Sequence, residues 1–150
     1  MKYLLSIFFI FQLSCTNKIQ PKLENNVAPE IEAKHIAENL TLHQKIVELN
    51  KSMLEYMKTG QPLYSKSDVD KCSEILESYI AEISKSKSKE EAMNMVKSTV
   101  LKLNYLNNNA KSELIETEER ERIADIIISA THKKGYNSMD EDITGNWREW

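Results

Sequence analysis

The densest cluster of ionisable side chains in this sequence is the segment at residues 116–122, which reads ETEERER. Paired carboxylates such as Glu118 and Glu119 can act as general acid and base when burial separates their pKa values. The same segment fits the start of a helix, where acidic groups interact favourably with the helix dipole. We interpret it as a solvated helix start, since catalysis would require these carboxylates to converge in a cleft with Arg120 or Asp125.

A second candidate lies at residues 140–145, which read DEDITG. This segment resembles the opening of an EF-hand calcium loop, in which oxygens at alternate positions converge on the ion and a glycine allows a sharp turn. The chain ends at Trp150, one residue before the position that supplies the bidentate glutamate in that family. We therefore predict a polar turn here and no metal ligands.

The histidines and cysteines do not show the spacing of a metal or nucleophile site. His35 and His43 are two helical turns apart, too far for one ion to take both without other ligands, and His132 is remote from them. Cys72 is expected to be a small buried side chain on a helix. The sequence also lacks a glycine-rich phosphate loop and a nucleophile elbow, so we predict no catalytic residues, no cofactor and no enzymatic activity.

The final four residues, WREW, hold both tryptophans of the chain. These side chains can close over the folded domain and bury apolar area. Alternatively Trp147, Arg148 and Trp150 form a protein-binding patch, because tryptophan and arginine are favoured as interface anchors. We expect intramolecular packing and keep the three residues as a possible interaction patch.

Residues 1–14 have the layout of a secretory signal peptide, with Lys2 followed by an apolar stretch at residues 3–13. A membrane span needs roughly 20 apolar residues, so this shorter stretch predicts an export signal and no stable transmembrane anchor.

The Leu13-Ser14-Cys15 ending resembles the lipobox of bacterial lipoproteins, although Gln12 stands where that family usually has an aliphatic residue. The resemblance implies that Cys15 is lipidated and that the membrane is a partner through this lipid. Thr16, in place of aspartate, implies an outer-membrane or periplasmic-face destination in the cell envelope. The alternative is ordinary cleavage of the signal, which would give a secreted or periplasmic soluble protein.

Residues 15–29 are polar after the cysteine and are predicted to form a tether. From residue 30 onward, apolar positions recur at helical spacing, and nothing alternates with the period of two typical of strands. Residues 30–150 are therefore predicted to form one helical domain.

Four helical segments stand out in this domain. The first covers residues 41–59, and the third opens with a capping box formed by Ser88 and Glu91. The second is expected to begin at Ser67 as N-cap, and its inner face is predicted to carry Val69, Cys72, Leu76, Tyr79 and Ile83. The fourth is expected to begin with Thr117 as N-cap and to extend to Gly135. Short connections between amphipathic helices predict an all-α antiparallel bundle.

Composition narrows the possible functions. The net charge of −3 argues against nucleic-acid binding by phosphate neutralisation. We predict a membrane-anchored, non-catalytic protein-interaction module, such as an inhibitor, an immunity-type protein or an assembly factor, with an unknown protein partner. The alternative is a small-ligand or lipid carrier with a cavity between helices, lined by Met53, Met57, Met93, Tyr79 and Tyr105.

Three segments are together similar to a family of small helical bacterial proteins that has no established activity. They are residues 69–72, residues 116–122 and the WREW ending. The resemblance implies a helical fold and adds no mechanism.

Overall fold

The computed structural model describes residues 41–150. The predictions for the signal peptide, for Cys15, for the tether and for residues 30–40 lie outside these described residues.

The described residues form a four-helix bundle, which confirms the all-α prediction. The helices are α1 (Leu42–Thr59), α2 (Lys66–Ile83), α3 (Lys89–Asn109) and α4 (Thr117–His132). Helix α1 begins at a reciprocal capping box, in which the Thr41 side chain accepts from the Gln44 backbone and the Gln44 side chain accepts from the Thr41 backbone. None of the helices among residues 41–150 is long and apolar enough to cross a membrane.

Two helix starts differ from the predicted ones. Helix α2 is capped by Ser65 and not by Ser67, because the Asp68 carboxylate accepts hydrogen bonds from the Ser65 N–H (2.9 Å) and hydroxyl (2.7 Å). In α4 the N-cap is Glu116, and Thr117 is already the first helical residue.

The capping box predicted for α3 forms only in part. The Ser88 hydroxyl accepts from the Glu91 N–H at 3.1 Å, as expected. The Glu91 carboxylate accepts instead from the Lys87 N–H, one residue earlier, at 2.8 Å. Helix α4 ends at His132, before the predicted end at Gly135. The chain turns at Gly135, whose φ of 76° is a left-handed conformation that suits glycine.

Helix α2 is the central helix, since it packs against each of the other three, while α1 also packs against α4. His43 Nδ1 lies 2.6 Å from a Glu77 oxygen, so the start of α1 is beside the last turns of α2 and these helices are antiparallel. The Tyr79 hydroxyl donates to the Ile127 carbonyl at 3.3 Å, which joins α2 to α4. Helices linked by short turns in this way alternate up and down.

The core follows the stripes predicted from the sequence. All five residues predicted for the inner face of α2 are buried: Val69, Cys72, Leu76, Tyr79 and Ile83. Removing a fully buried leucine side chain from such a core typically costs about 2–5 kcal/mol of stability.

The segment after α4, residues 133–150, is irregular and packs on α3. Buried Asn104 holds it by its backbone, because the Asn104 amide donates to the Trp147 carbonyl at 2.7 Å and accepts from the Glu149 N–H at 3.3 Å. Ile143 adds a buried apolar contact to the core. The segment is therefore part of the folded domain.

Candidate functional site

The alternation of the helices gives the bundle two ends with different links. The end where residues 60–65 join α1 to α2 and residues 110–116 join α3 to α4 is called the acidic end. The opposite end carries residues 84–88 and the turn at residues 133–136, and is called the lysine end.

The acidic end contains a surface cavity of about 600 Å³. Its walls combine carboxylates with aromatic rings and one guanidinium. They are formed by Ser52, Tyr56, Tyr64, Glu113, Ile115, Glu116, Thr117, Glu118, Glu119, Arg120 and Trp150. Four glutamates against one arginine make the cavity negative.

Tyr64 is a buried phenol in the wall of this cavity. Its hydroxyl donates to the Met53 carbonyl at 3.2 Å. Burial, and then the charges of Glu119 and other nearby groups, raise the pKa of Tyr64 to about 12. The phenol is therefore a neutral hydrogen-bonding wall of the cavity at neutral pH.

Backbone hydrogen bonds hold two of the glutamates in place. The Glu113 carboxylate accepts from the Leu63 N–H at 2.7 Å and so ties the two links of the acidic end together. The Glu119 carboxylate accepts from the Glu116 N–H at 3.2 Å and caps α4. The carboxylates are thus positioned by the fold before any ligand is present.

Tyr56 lies close to the backbone at the end of α1. A Cβ atom on Gly60 would stand 2.3 Å from the Tyr56 ring, so only glycine allows this position of the ring. Gly60 has a helical φ of −85°, and its role here is therefore space and not backbone freedom.

Trp150 reaches this cavity because the terminal segment is held on α3. The Arg148 guanidinium lies over the Trp150 ring, 5.4 Å from its centroid, and pairs with Asp142 at 3.1 Å. The Trp150 indole N–H is buried without an acceptor among residues 41–150. An unpaired buried donor costs about 1–3 kcal/mol, so a rearrangement of this ring is favoured if it gains a partner.

Strained backbone is also concentrated at the acidic end. The non-glycine residues with positive φ among residues 41–150 are Gln61 (51°), Lys111 (59°) and Ser112 (63°). All three lie in the two links of this end. Left-handed conformations of such residues cost about 1–2 kcal/mol each and often mark functional sites.

The structure brings together two features that are far apart in the sequence. Glu118, Glu119 and Arg120 from the acidic segment line the same cavity as Trp150 from the WREW ending. Asp125 lies apart from them, where it accepts a hydrogen bond from Lys45 at 2.7 Å. Of the predicted interaction patch, Trp147, Arg148 and Trp150 are each partly buried against the domain.

The residues that resemble a calcium loop are used internally. The Asp142 carboxylate accepts from the Thr144 N–H (3.0 Å) and hydroxyl (2.6 Å) and pairs with Arg148. Burial acts to raise the pKa of Asp142, but the Thr144 hydrogen bonds and Arg148 outweigh it and lower the pKa below its ordinary value. Residues 41–150 contain no group of three or more His, Cys, Asp or Glu side chains suited to a metal ion.

The cysteine and the histidines within residues 41–150 contact other parts of the fold. The Cys72 thiol is buried, and desolvation followed by the charge of Glu119 raises its pKa to about 12, which makes it a poor nucleophile. His132 Nδ1 is within hydrogen-bond distance, 2.7 Å, of the Asn137 carbonyl. His43 pairs with Glu77 on the neighbouring helix, and His35 lies outside the described residues.

The five residues predicted to line a carrier cavity do not share one. Met53 and Tyr79 are each 1% exposed in the closed core, whereas Tyr105 is 72% exposed on the outer face of α3. Met57 and Met93 are partly buried and pack against the core.

Five residues of the cavity were not predicted from the sequence: Ser52, Tyr56, Tyr64, Glu113 and Ile115. A usable signal was present for the tyrosines, since both flank the Gly60 and Pro62 link that must place them at one end of the bundle.

No family model, no curated protein and no solved structure matches this chain.

Proposed function

We propose that this protein is a lipid-anchored, non-catalytic interaction module of the cell envelope that binds a basic segment of a partner protein at its acidic end. The observation that carries the proposal is the 600 Å³ cavity in which glutamates and aromatic rings meet. Carboxylates attract ammonium and guanidinium groups, and aromatic faces bind the same cations.

The molecule itself contains one contact between a cation and an aromatic ring. Arg148 already lies over the Trp150 ring at 5.4 Å. A lysine or arginine from a partner would meet the same ring chemistry, with the carboxylates of Glu116 and Glu119 close by. The Glu119 carboxylate is held by a backbone hydrogen bond, so little ordering of this side chain is required on binding.

A basic protein segment fits this site better than a free small cation. The cavity is open to solvent at the surface and includes residues from both links, so a side chain can enter while its backbone remains outside. The unpaired Trp150 N–H can also gain a carbonyl acceptor if the ring shifts on binding.

The anchoring part of the proposal is supported by the signal-like residues 1–14 and by the lipobox-like ending at Cys15. Acyl chains on that cysteine would hold the domain at an envelope membrane, with an outer-membrane or periplasmic-face location favoured. Mass spectrometry of the membrane fraction should find Cys15 acylated at a new N-terminus. Unmodified Cys15 on soluble, processed protein would contradict this part.

The binding part is tested with a lysine- and arginine-containing peptide and a matched peptide in which glutamine replaces each basic residue. Tryptophan fluorescence and calorimetry measure the affinity. The Glu116→Gln/Glu119→Gln variant should bind the basic peptide about ten-fold more weakly, because each glutamine keeps the side-chain shape but removes the charge.

The matched control is Glu48→Gln/Glu74→Gln, which removes two exposed charges away from the acidic cavity. It should change the affinity by no more than about two-fold. Equal binding of the two peptides, or equal losses in the two variants, would overturn the proposal.

A further inference from the structure

The lysine end of the bundle presents a group of positive side chains that the proposed partner site does not use. Two turns meet there, because Lys134 Nζ donates to the Ser84 carbonyl at 2.8 Å and the Tyr136 hydroxyl donates to the Ser86 carbonyl at 3.3 Å. The exposed or partly exposed lysines of these turns are Lys85, Lys87, Lys133 and Lys134, and exposed Lys89 follows as the first residue of α3.

The acidic side chains near this end lie on the helices behind the two turns. They are Glu82 in the last turn of α2, and Glu90 and Glu91 in the first turn of α3. Glu91 is engaged with the Lys87 backbone at 2.8 Å. Residues 82–91 and 133–136 together hold five lysines and three glutamates, so this part of the surface has a net positive charge.

The first residues of α1 also lie at the lysine end. Helix α1 starts beside the last turns of α2, since His43 lies 2.6 Å from Glu77, and residues 84–88 follow directly after α2. Residues 1–40, which include Cys15, are thus joined to the bundle at this end. A membrane that holds Cys15 is therefore connected to the domain at the lysine end.

We propose that the lysine end binds an anionic lipid surface and orients the domain on its membrane. This inference rests on the anchored state of the proposed function. A tether raises the effective concentration of the lipid surface around the domain, so weak attractions suffice. Each lysine near an anionic membrane strengthens binding about five-fold at low salt. The acidic cavity then points away from the membrane, toward partners in solution.

The test separates charge from anchoring by using the chain from residue 15 onward with Cys15→Ser, which carries no lipid. Binding is measured by co-sedimentation with vesicles of phosphatidylcholine alone and of phosphatidylcholine mixed with phosphatidylglycerol. The unlipidated chain should bind the anionic vesicles and leave the neutral ones, with an affinity that falls as salt is added.

The informative variant is Lys85→Gln/Lys87→Gln/Lys133→Gln, which removes three exposed charges of the lysine end. It should lower the affinity for anionic vesicles about a hundred-fold at low salt, because the three contributions multiply. The matched control is Lys51→Gln/Lys97→Gln/Lys102→Gln, which removes three exposed charges from the sides of α1 and α3. It should reduce binding only a few-fold.

Absence of binding to anionic vesicles, equal binding to both vesicle types, or equal losses in the two triple variants would each overturn the inference. Failure of the anchored state would be seen independently in the mass of Cys15. A basic-peptide result at the acidic end bears on neither outcome, so the two proposals fail separately.

Discussion

The two ends of this bundle differ in chemistry and in backbone conformation. The acidic end collects glutamates, aromatic rings and all three left-handed non-glycine residues among residues 41–150. At the lysine end, Ser84 and Lys133 close their helices in ordinary right-handed geometry, and Gly135 takes the positive φ. Left-handed non-glycine residues among residues 41–150 therefore occur where we place the partner site. Each end has one buried side-chain atom without a partner among these residues, the Trp150 N–H at the acidic end and Asn137 Oδ1 beside the turn of the lysine end.

The difference follows from what each surface must do. A site for one side chain of a partner needs carboxylates and rings at fixed positions, and such positions can require unfavourable backbone angles. A lipid surface has no fixed geometry, so exposed lysines on relaxed turns are sufficient.

The largest expected effect is a loss of stability in the core on which both ends are built. Leu76 is fully buried on α2, which packs against every other helix. Leu76→Ala should lower the free energy of unfolding by about 2–5 kcal/mol and weaken both ends together. Urea unfolding followed by circular dichroism measures this, with Val47→Ala, an exposed site on α1, as a control expected to stay within about 0.5 kcal/mol. A small effect at Leu76 would show that the two ends do not depend on one core.

The next effect should reach the acidic end alone. Asn104→Ala removes both hydrogen bonds to the terminal segment and should cost about 1–3 kcal/mol. Both tryptophans lie in that segment, so their fluorescence should shift toward the solvent-exposed value while vesicle binding is unchanged. Asn108→Ala, which loses only an exposed 3.4 Å contact to Glu149, is the matched control. Unchanged fluorescence in Asn104→Ala would mean that the two Asn104 hydrogen bonds do not hold Trp150 in place.

A smaller effect should have opposite signs at the two ends. Lys111 has a φ of 59°, so Lys111→Gly should stabilise the fold by up to about 1 kcal/mol. Lys133 has a φ of −57°, so Lys133→Gly should destabilise it by about 0.5–1 kcal/mol. The two variants remove the same side chain and charge, and thermal unfolding compares them. The same sign in both would remove backbone strain as a difference between the ends.

The smallest effect is a dependence on pH in the segment that carries Trp150. The pKa of Asp142 is held below its ordinary value of 3.8, so its contribution to stability is complete above that value and is lost as the pH falls through the lower, folded-state pKa. Because the side chain is 45% exposed, the contribution should stay below about 1 kcal/mol. Tryptophan fluorescence below pH 4 should change in the native chain and be nearly flat in Asp142→Asn. Identical acid profiles would contradict this role.

Much of the fold could be predicted from the sequence, because helical spacing is a local signal. The buried stripe of α2, from Val69 to Ile83, follows from apolar residues three and four positions apart. The predicted N-cap of α2, Ser67, was wrong by two residues. The sequence contains two overlapping capping signals, Ser65 with Asp68 and Ser67 with Asp70. In the structure Asp68 accepts from both the N–H and the hydroxyl of Ser65, whereas Asp70 pairs with Lys66.

The cavity could be predicted only in fragments. Glu118 and Trp150 were each singled out in the sequence. Their proximity in space depends on how the helices pack and on the hydrogen bond from Asn104 to the Trp147 carbonyl. Tyr56 enters the site because Gly60 leaves room for its ring, a contact that no local pattern indicates. Residues from four separate parts of the chain meet there, and only the packed bundle brings them together.

The most direct test of the central claim, that the two ends meet different surroundings, is the accessibility of single probes on vesicle-bound protein. Ser84→Cys labels the lysine end and Asn109→Cys labels the acidic end, both exposed and both free of charge change, in the Cys15→Ser chain. Cys72 is buried and should remain unlabelled. On anionic vesicles, the probe at Ser84 should be quenched by a lipid-bound quencher and protected from an aqueous one, and the probe at Asn109 should show the reverse. Equal quenching of both probes, or the opposite pattern, would contradict the account.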